Sequence, residues 1–151
     1  MEAVRASEKE DSASLGSALA VPVTSRFAEL TKGRYPQVQF EPSLRAGAIQ
    51  VQGVLDAPDV LGGLSVGTRD HLATLVRLAI ALQLKSAIVL DDHLVHTDLG
   101  RLAWFRDALH EAAKETQVLV LTCRPFDYVP EGQAAPPDTK LIDLTKLIKR
   151  R

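Results

Sequence analysis

The sequence predicts an α/β domain: a mainly parallel sheet with flanking helices, preceded toward the N-terminus by an antiparallel hairpin. Two apolar runs, Ser86-Ala-Ile-Val-Leu90 and Gln117-Val-Leu-Val-Leu-Thr122, show no polar alternation, as expected of parallel strands covered on both faces. Between them, Leu99, Leu102, Trp104, Phe105, Ala108, Leu109 and Ala112 recur at helical spacing from about Asp98. Strand, helix, strand is the crossover unit of a parallel sheet. Farther upstream, Tyr35–Phe40 and Ala48–Gly53 alternate like strands with one wet face, and the stretch Glu41–Gly47 joins them as a hairpin.

The remaining elements follow in order. Residues 1–20 mix charge with Ser and Ala and carry no sustained apolar stripe, so they read as a flexible lead or a coiled-coil remnant, with the domain proper at 21–151. Val21–Leu30 fits a short amphipathic helix. After the Pro and Gly punctuation of Asp56–Gly63, Leu72, Leu75, Val76, Ala79, Ile80 and Leu82 predict a long helix that starts near Gly67. Lys140–Leu144 is expected to add an edge strand before the basic tail Lys146–Arg151.

Composition narrows the function classes. The chain has 151 residues, 46% hydrophobic and 25% charged, enough for one domain with its own core. Eighteen basic against 19 acidic residues give a net charge of −1, so no global positive field attracts nucleic acid or an anionic membrane. A single cysteine, Cys123, excludes a disulfide framework and points to a reducing compartment, by expectation the cytoplasm. No apolar run approaches the roughly 20 residues of a membrane span, so the expectation is a soluble protein without a membrane partner.

Chemistry is expected where strand Ser86–Leu90 ends, because ligands of open α/β sheets gather at the carboxyl ends of strands. Asp91, Asp92, His93, His96 and Asp98 all follow that strand. Helix capping accounts for Asp98. It leaves unexplained why two carboxylates stand side by side, each repelling the other, and a cation is the simpler account. Two cations fit the spacing: a zinc-type ion on His93, His96 and a carboxylate, or magnesium on Asp91 with oxygens from water and phosphate. The phosphate-facing candidate is Gly62-Gly-Leu-Ser-Val-Gly-Thr-Arg-Asp70, which opens the long helix where unpaired amides and the positive dipole end favour an anion. Ser65 or Thr68 serves equally as a plain N-cap there.

The order of these parts, LSVGTRD, helix, AIVLDD, LVHTD, helix, QVLVLTCR, resembles the C-terminal lobe of an ABC-type ATPase head of the SMC-like, coiled-coil branch, whose members serve chromosome maintenance and double-strand-break repair. The resemblance covers about residues 24–129. It implies that Leu64-Ser65-Val66-Gly67 is the signature motif, with Val66 in place of the first glycine. Ala87–Asp92 then resembles Walker B, with Asp91 on magnesium and Asp92 in the place of the catalytic glutamate, and Val95–Asp98 resembles the D-loop. Arg26–Tyr35 is similar to the segment that leaves the coiled coil. The family's switch histidine falls at Cys123 or Arg124, where Arg124 would act as a sensor or clamp on phosphate, because arginine cannot exchange a proton as histidine does.

No GxxxxGK[ST] loop occurs in the chain. The resemblance therefore implies half of a head: inactive alone, binding ATP and Mg2+ only with a Walker A-bearing lobe, and closing as a head-head dimer in which the signature meets ATP held by the opposite head. DNA enters as a partner through the same resemblance. Two rivals stand beside this reading, a noncatalytic dimerisation module that keeps the ABC surface, and a small metallohydrolase built on Asp91, His93 and His96.

Overall fold

The computed structural model describes residues 2–40, 46–50 and 63–147, with side-chain surroundings from residue 16 onward and outside 41–62. The chain divides into two compact units, Met1–Leu121 and Thr122–Arg151.

The first unit begins with helix α1 (Glu2–Leu30), which runs through the residues read as a lead as well as through the expected helix from Val21. Pro22 lies inside it and removes one backbone donor from the helical ladder. The helix tolerates this because its C-terminal half is anchored: Leu19, Val23, Phe27 and Leu30 form a stripe at four- and three-residue spacing, each at most 5% exposed. The stripe ends where Lys32 and Gly33 take positive φ (53° and 77°) and the Gly33 amide closes back on Ala28 O at 2.7 Å. Tyr35 then folds under the helix and stacks on Phe27, ring centroids 5.4 Å apart.

Strand β1 (Gln37–Phe40) pairs antiparallel with β2 (Ala46–Gln50), Val38 opposite Ile49, with an irregularity in register between Gln39 and Phe40. Residues 51–53 of the second alternating run lie outside the described residues. The Thr24 hydroxyl on α1 accepts from the Val38 amide and donates to the Val38 carbonyl, at 3.3 and 3.2 Å. Helix and strand are thus joined by backbone groups that would otherwise face an apolar seam.

Helix α2 (Val66–Leu84) packs on α1 and on β3 (Ile88–Asp91). Its buried face is Thr68, His71, Leu72, Thr74, Leu75, Leu78 and Ala81, rotated from the stripe the apolar letters predict, since Val76, Ala79, Ile80 and Leu82 are only partly covered. The Thr74 hydroxyl donates to Asp70 O at 2.8 Å, which lets a polar residue sit on a core face. Lys85 (φ 49°) closes the helix, and β3 then pairs in parallel with β4 (Val118–Leu121), with α3 (Leu99–Ala113) as the connection.

One expectation about this sheet is corrected. Ile88 and Leu90 are buried against the helices, but Val89, Leu119 and Leu121 are 55%, 43% and 50% exposed on the other face. Among the described residues the sheet has two strands and one cover. The sequence is apolar on both faces, although among the described residues only one is covered.

The second unit holds two short 3-10 turns, Pro125–Asp127 and Leu144–Lys146, and no described residue in it is fully buried. The edge strand expected at Lys140–Leu144 is not formed. Asp143 instead caps the second turn, its carboxylate accepting from the Thr145 amide and hydroxyl at 3.0 and 2.6 Å, which turns the backbone away from an extended path.

Phe27 is the largest side chain of the α1 seam and is fully buried. Phe27→Ala is expected to destabilise the first unit by about 3–5 kcal/mol, the range for deleting a buried ring, measured by denaturant titration with Val21→Ala, at a position 74% exposed, as the near-neutral control.

Candidate functional site

The site is built where the start of α2 meets the turn between β3 and α3. Ser65 is the N-cap of α2: its Oγ accepts from the Thr68 amide at 3.2 Å and shares a 2.8 Å hydrogen bond with the Thr68 hydroxyl. The first turn contains no acidic side chain to neutralise its positive end, and the nearest on the helix is Asp70 in the next turn. Leu64 is buried and anchors the segment, while Ser65 and Val66 are exposed.

Gly67 is explained by packing. A Cβ built there would stand 3.0 Å from His96 O and 3.8 Å from His96 Cβ, so any side chain would push α2 away from the turn. The glycine is needed whether or not a phosphate is ever bound.

Asp91 ends β3 and Asp92 follows it, both exposed. Asp92 adopts φ 43°, a left-handed conformation that costs a non-glycine residue, and Leu94 does so again at 69°. The Asp92 amide continues the ladder to Leu121 O at 2.9 Å. Leu94, 3% exposed, plugs the turn into the core, and the Thr97 amide returns to Leu94 O at 3.0 Å. Asp98 is the N-cap of α3, accepting from the Arg101 amide at 3.1 Å, with the Arg101 guanidinium 3.4 Å away. The Arg101 amide holds its carboxyl below the ordinary carboxylate value, aided by the Arg101 charge. Capping therefore fully accounts for where Asp98 stands.

The structure also brings in residues that the sequence reading passed over. Arg77, three turns along α2, meets His93 Nε2, while His93 Nδ1 lies 2.8 Å from the Asp91 carbonyl. His71, 1% exposed, places Nε2 2.9 Å from the Thr97 hydroxyl and tilts its ring on Phe105. Its Nδ1 is the one buried side-chain polar atom without a hydrogen-bond partner among the described residues. Nε2 therefore carries the proton, and charging the ring would place a second proton on a nitrogen with no acceptor. Burial, with the Arg101 charge adding to it, pushes the His71 pKa down from 6.5, against the smaller opposing pull of Asp98 and Asp70. The signal in the sequence was a histidine between Thr68 and Thr74 at core spacing, visible only if polar letters are allowed on the buried face.

The zinc-type arrangement is not formed. Both His93 nitrogens are engaged, and no cluster of three or more His, Cys, Asp or Glu that could hold a metal occurs among the described residues. Two adjacent exposed carboxylates at a strand end are instead hard oxygen donors, the set that suits magnesium shared with water and phosphate. Arg124 belongs to the second unit, where its guanidinium forms a fork with Asp127, 2.9 and 3.1 Å. An open cavity of about 510 Å³ between the end of α1 and the start of α3 is lined by Glu29, Lys32, Asp98, Arg101 and Trp104, charges of both signs.

A Ser-capped helix, a strand ending in paired carboxylates and an Asp-capped helix on one parallel pair are the arrangement that the solved structures bear on. The chain has the fold of an SMC ATPase head. It aligns with a solved structure from work on ATP-driven dimerization and DNA-stimulated activation of SMC ATPases, with a TM-score of 0.57 and 20% identity over 80% of this chain and 76% of that one. No family model and no curated protein matches the sequence. Among the described residues no helix is long and apolar enough to cross a membrane.

Two measurements check the polar framework. Asp98→Ala is expected to cost about 1 kcal/mol and Asp98→Asn only a few tenths, because asparagine caps as well as aspartate; denaturant titration reads both. For His71, the unfolded ring takes a proton below about pH 6.5 while the folded ring resists, so stability falls as the pH drops through that value and levels off below the folded pKa. The melting temperature followed from about pH 8 to about pH 5 should show this loss in the parent, and His71→Gln should lack it.

Proposed function

We propose that this chain is the C-terminal lobe of an SMC-like ABC ATPase head that works in DNA repair or chromosome maintenance. The observation that carries the reading is the uncovered apolar face of the β3–β4 pair, Val89, Leu119 and Leu121, on a chain with the SMC head fold and no phosphate loop of its own. Parallel sheets are ordinarily covered on both faces. A lobe that brings the Walker A loop and further strands would cover this face and complete the nucleotide site at the carboxyl end of β3.

In the assembled head Asp91 would hold magnesium through water, and Asp92 would orient or deprotonate the attacking water. Bound magnesium would supply charge neutralisation at the phosphates. The start of α2, with Leu64 buried beneath Ser65, Val66 and Gly67, would meet the γ-phosphate on a second head, where free amides and an uncompensated helix end favour negative charge. Asp98 would support that contact by fixing the start of α3 beside it, and Arg124 would exchange Asp127 for a phosphate oxygen as a sensor. The stretch 1–20, which α1 enters from Glu2, would be a coiled-coil remnant. The head-head dimer is the proposed working state, with DNA as its partner.

A noncatalytic dimerisation module is favoured by one observation, the absence of GxxxxGK[ST] from the chain. Adding a Walker A-bearing lobe separates the two readings. Alone, the chain should bind ATP only weakly by calorimetry and hydrolyse none. In the reconstituted head Asp91→Asn should weaken magnesium-dependent ATP binding, and Asp92→Asn should preserve ATP-dependent dimerisation while slowing single-turnover hydrolysis by about 10²- to 10⁴-fold. Parental turnover by Asp92→Asn would show that Asp92 is not the base, and the noncatalytic reading would gain.

A further inference from the structure

Three contacts tie α2 to the turn after β3: Gly67 makes room for the His96 carbonyl, His71 Nε2 shares a 2.9 Å hydrogen bond with the Thr97 hydroxyl, and Arg77 meets His93. The third alone reaches the peptide between the paired carboxylates. His93 is half-buried, and each of its ring nitrogens faces a group of fixed polarity. The Arg77 guanidinium can only donate, so Nε2 must present its lone pair. The Asp91 carbonyl can only accept, so Nδ1 must carry the proton. The two partners together put the proton on Nδ1 and the lone pair on Nε2.

The carbonyl that His93 holds belongs to the peptide bond joining Asp91 to Asp92. The amide of that same peptide is held by Leu121 O at 2.9 Å. Both polar ends of one peptide plane are therefore fixed, one by β4 and one by His93, just where Asp92 takes the costly φ of 43°. If this plane turned, both carboxylates would swing with it.

We propose that His93 is a positioning residue. Locked as Nδ1–H between Arg77 of α2 and the Asp91 carbonyl, it fixes the peptide between the two carboxylates to the helix whose N-terminus carries Ser65. Its functional weight rests on the reading of Asp91 and Asp92 given above, while the clamp itself is a property of the chain without nucleotide. Movement of α2 along its axis, such as engagement of a phosphate at its start would cause, then reaches Asp92 through two hydrogen bonds.

Side-chain 1H–15N correlation spectra of the full-length chain above pH 7 read the clamp directly, with His71 as the internal Nε2–H reference that also reports an intact fold. His93 should show a protonated Nδ1 and a bare Nε2. Arg77→Ala should release Nε2, convert His93 to a mixture dominated by Nε2–H, and shift the Asp92 amide resonance. Arg77→Lys, which still donates, should largely restore the parental pattern, and Arg77→Gln serves if the alanine variant does not fold. In a His93→Ala background, Arg77→Ala should leave the Asp92 amide where it was. An Nε2–H His93 in the parent, or an Asp92 shift that is equal with and without His93, overturns the proposal. In the reconstituted head the clamp variants should lower kcat with little change in KM for ATP with magnesium, and an equal rise in KM would overturn the positioning role. A parental head that hydrolyses no ATP would instead overturn the functional reading, and the spectra would still decide the clamp.

Discussion

A backbone carbonyl sets how near α2 can lie to the turn that follows β3: at Gly67 a single methyl group would already stand 3.0 Å from His96 O. The helix comes this close because no side chain begins there. Once it does, His71 reaches Thr97, Arg77 reaches His93, and the turn between the paired carboxylates and the α3 cap is gripped along nearly its whole length. Leu94 locks the same turn from the core side. A bulkier residue at 67 would therefore loosen contacts ten residues farther along the helix, although it touches none of them.

The positive φ values at Asp92 and Leu94 belong to the same construction. A turn that must leave a strand and enter a helix cap within six residues bends more sharply than ordinary backbone prefers. The surrounding contacts hold it in that shape. Strain of this kind, kept beside two carboxylates by neighbours on three elements, gives them a fixed direction that flexible surface carboxylates lack.

Much of this was legible in the letters, and the failures have physical causes. Ser65 and Asp98 sit where capping chemistry puts them, and the two apolar runs became the parallel pair. The rotated face of α2 was missed because threonine and histidine can be buried when their polar atoms have partners within reach, as Thr74 and His71 do for at least one atom each. Lys140–Leu144 has the letters of a strand, but a strand needs a neighbour, and Asp143 offers the backbone a local turn instead. Arg77 could not be read at all, since a pairing 16 residues apart depends on the close approach that Gly67 permits. Nor could the exposure of Val89, Leu119 and Leu121, because an apolar letter states what a face prefers and not what lies on it.

That exposed face has a consequence for how much of the protein a cell can hold. Three large aliphatic side chains on a short parallel pair are the pattern by which chaperones and proteases distinguish unfinished chains from finished ones. If the proposed Walker A-bearing lobe covers them, a copy made in excess of that lobe carries the mark although it is correctly folded. Its abundance would then follow the supply of its complement more closely than its own rate of synthesis, and stoichiometry would be enforced by disposal.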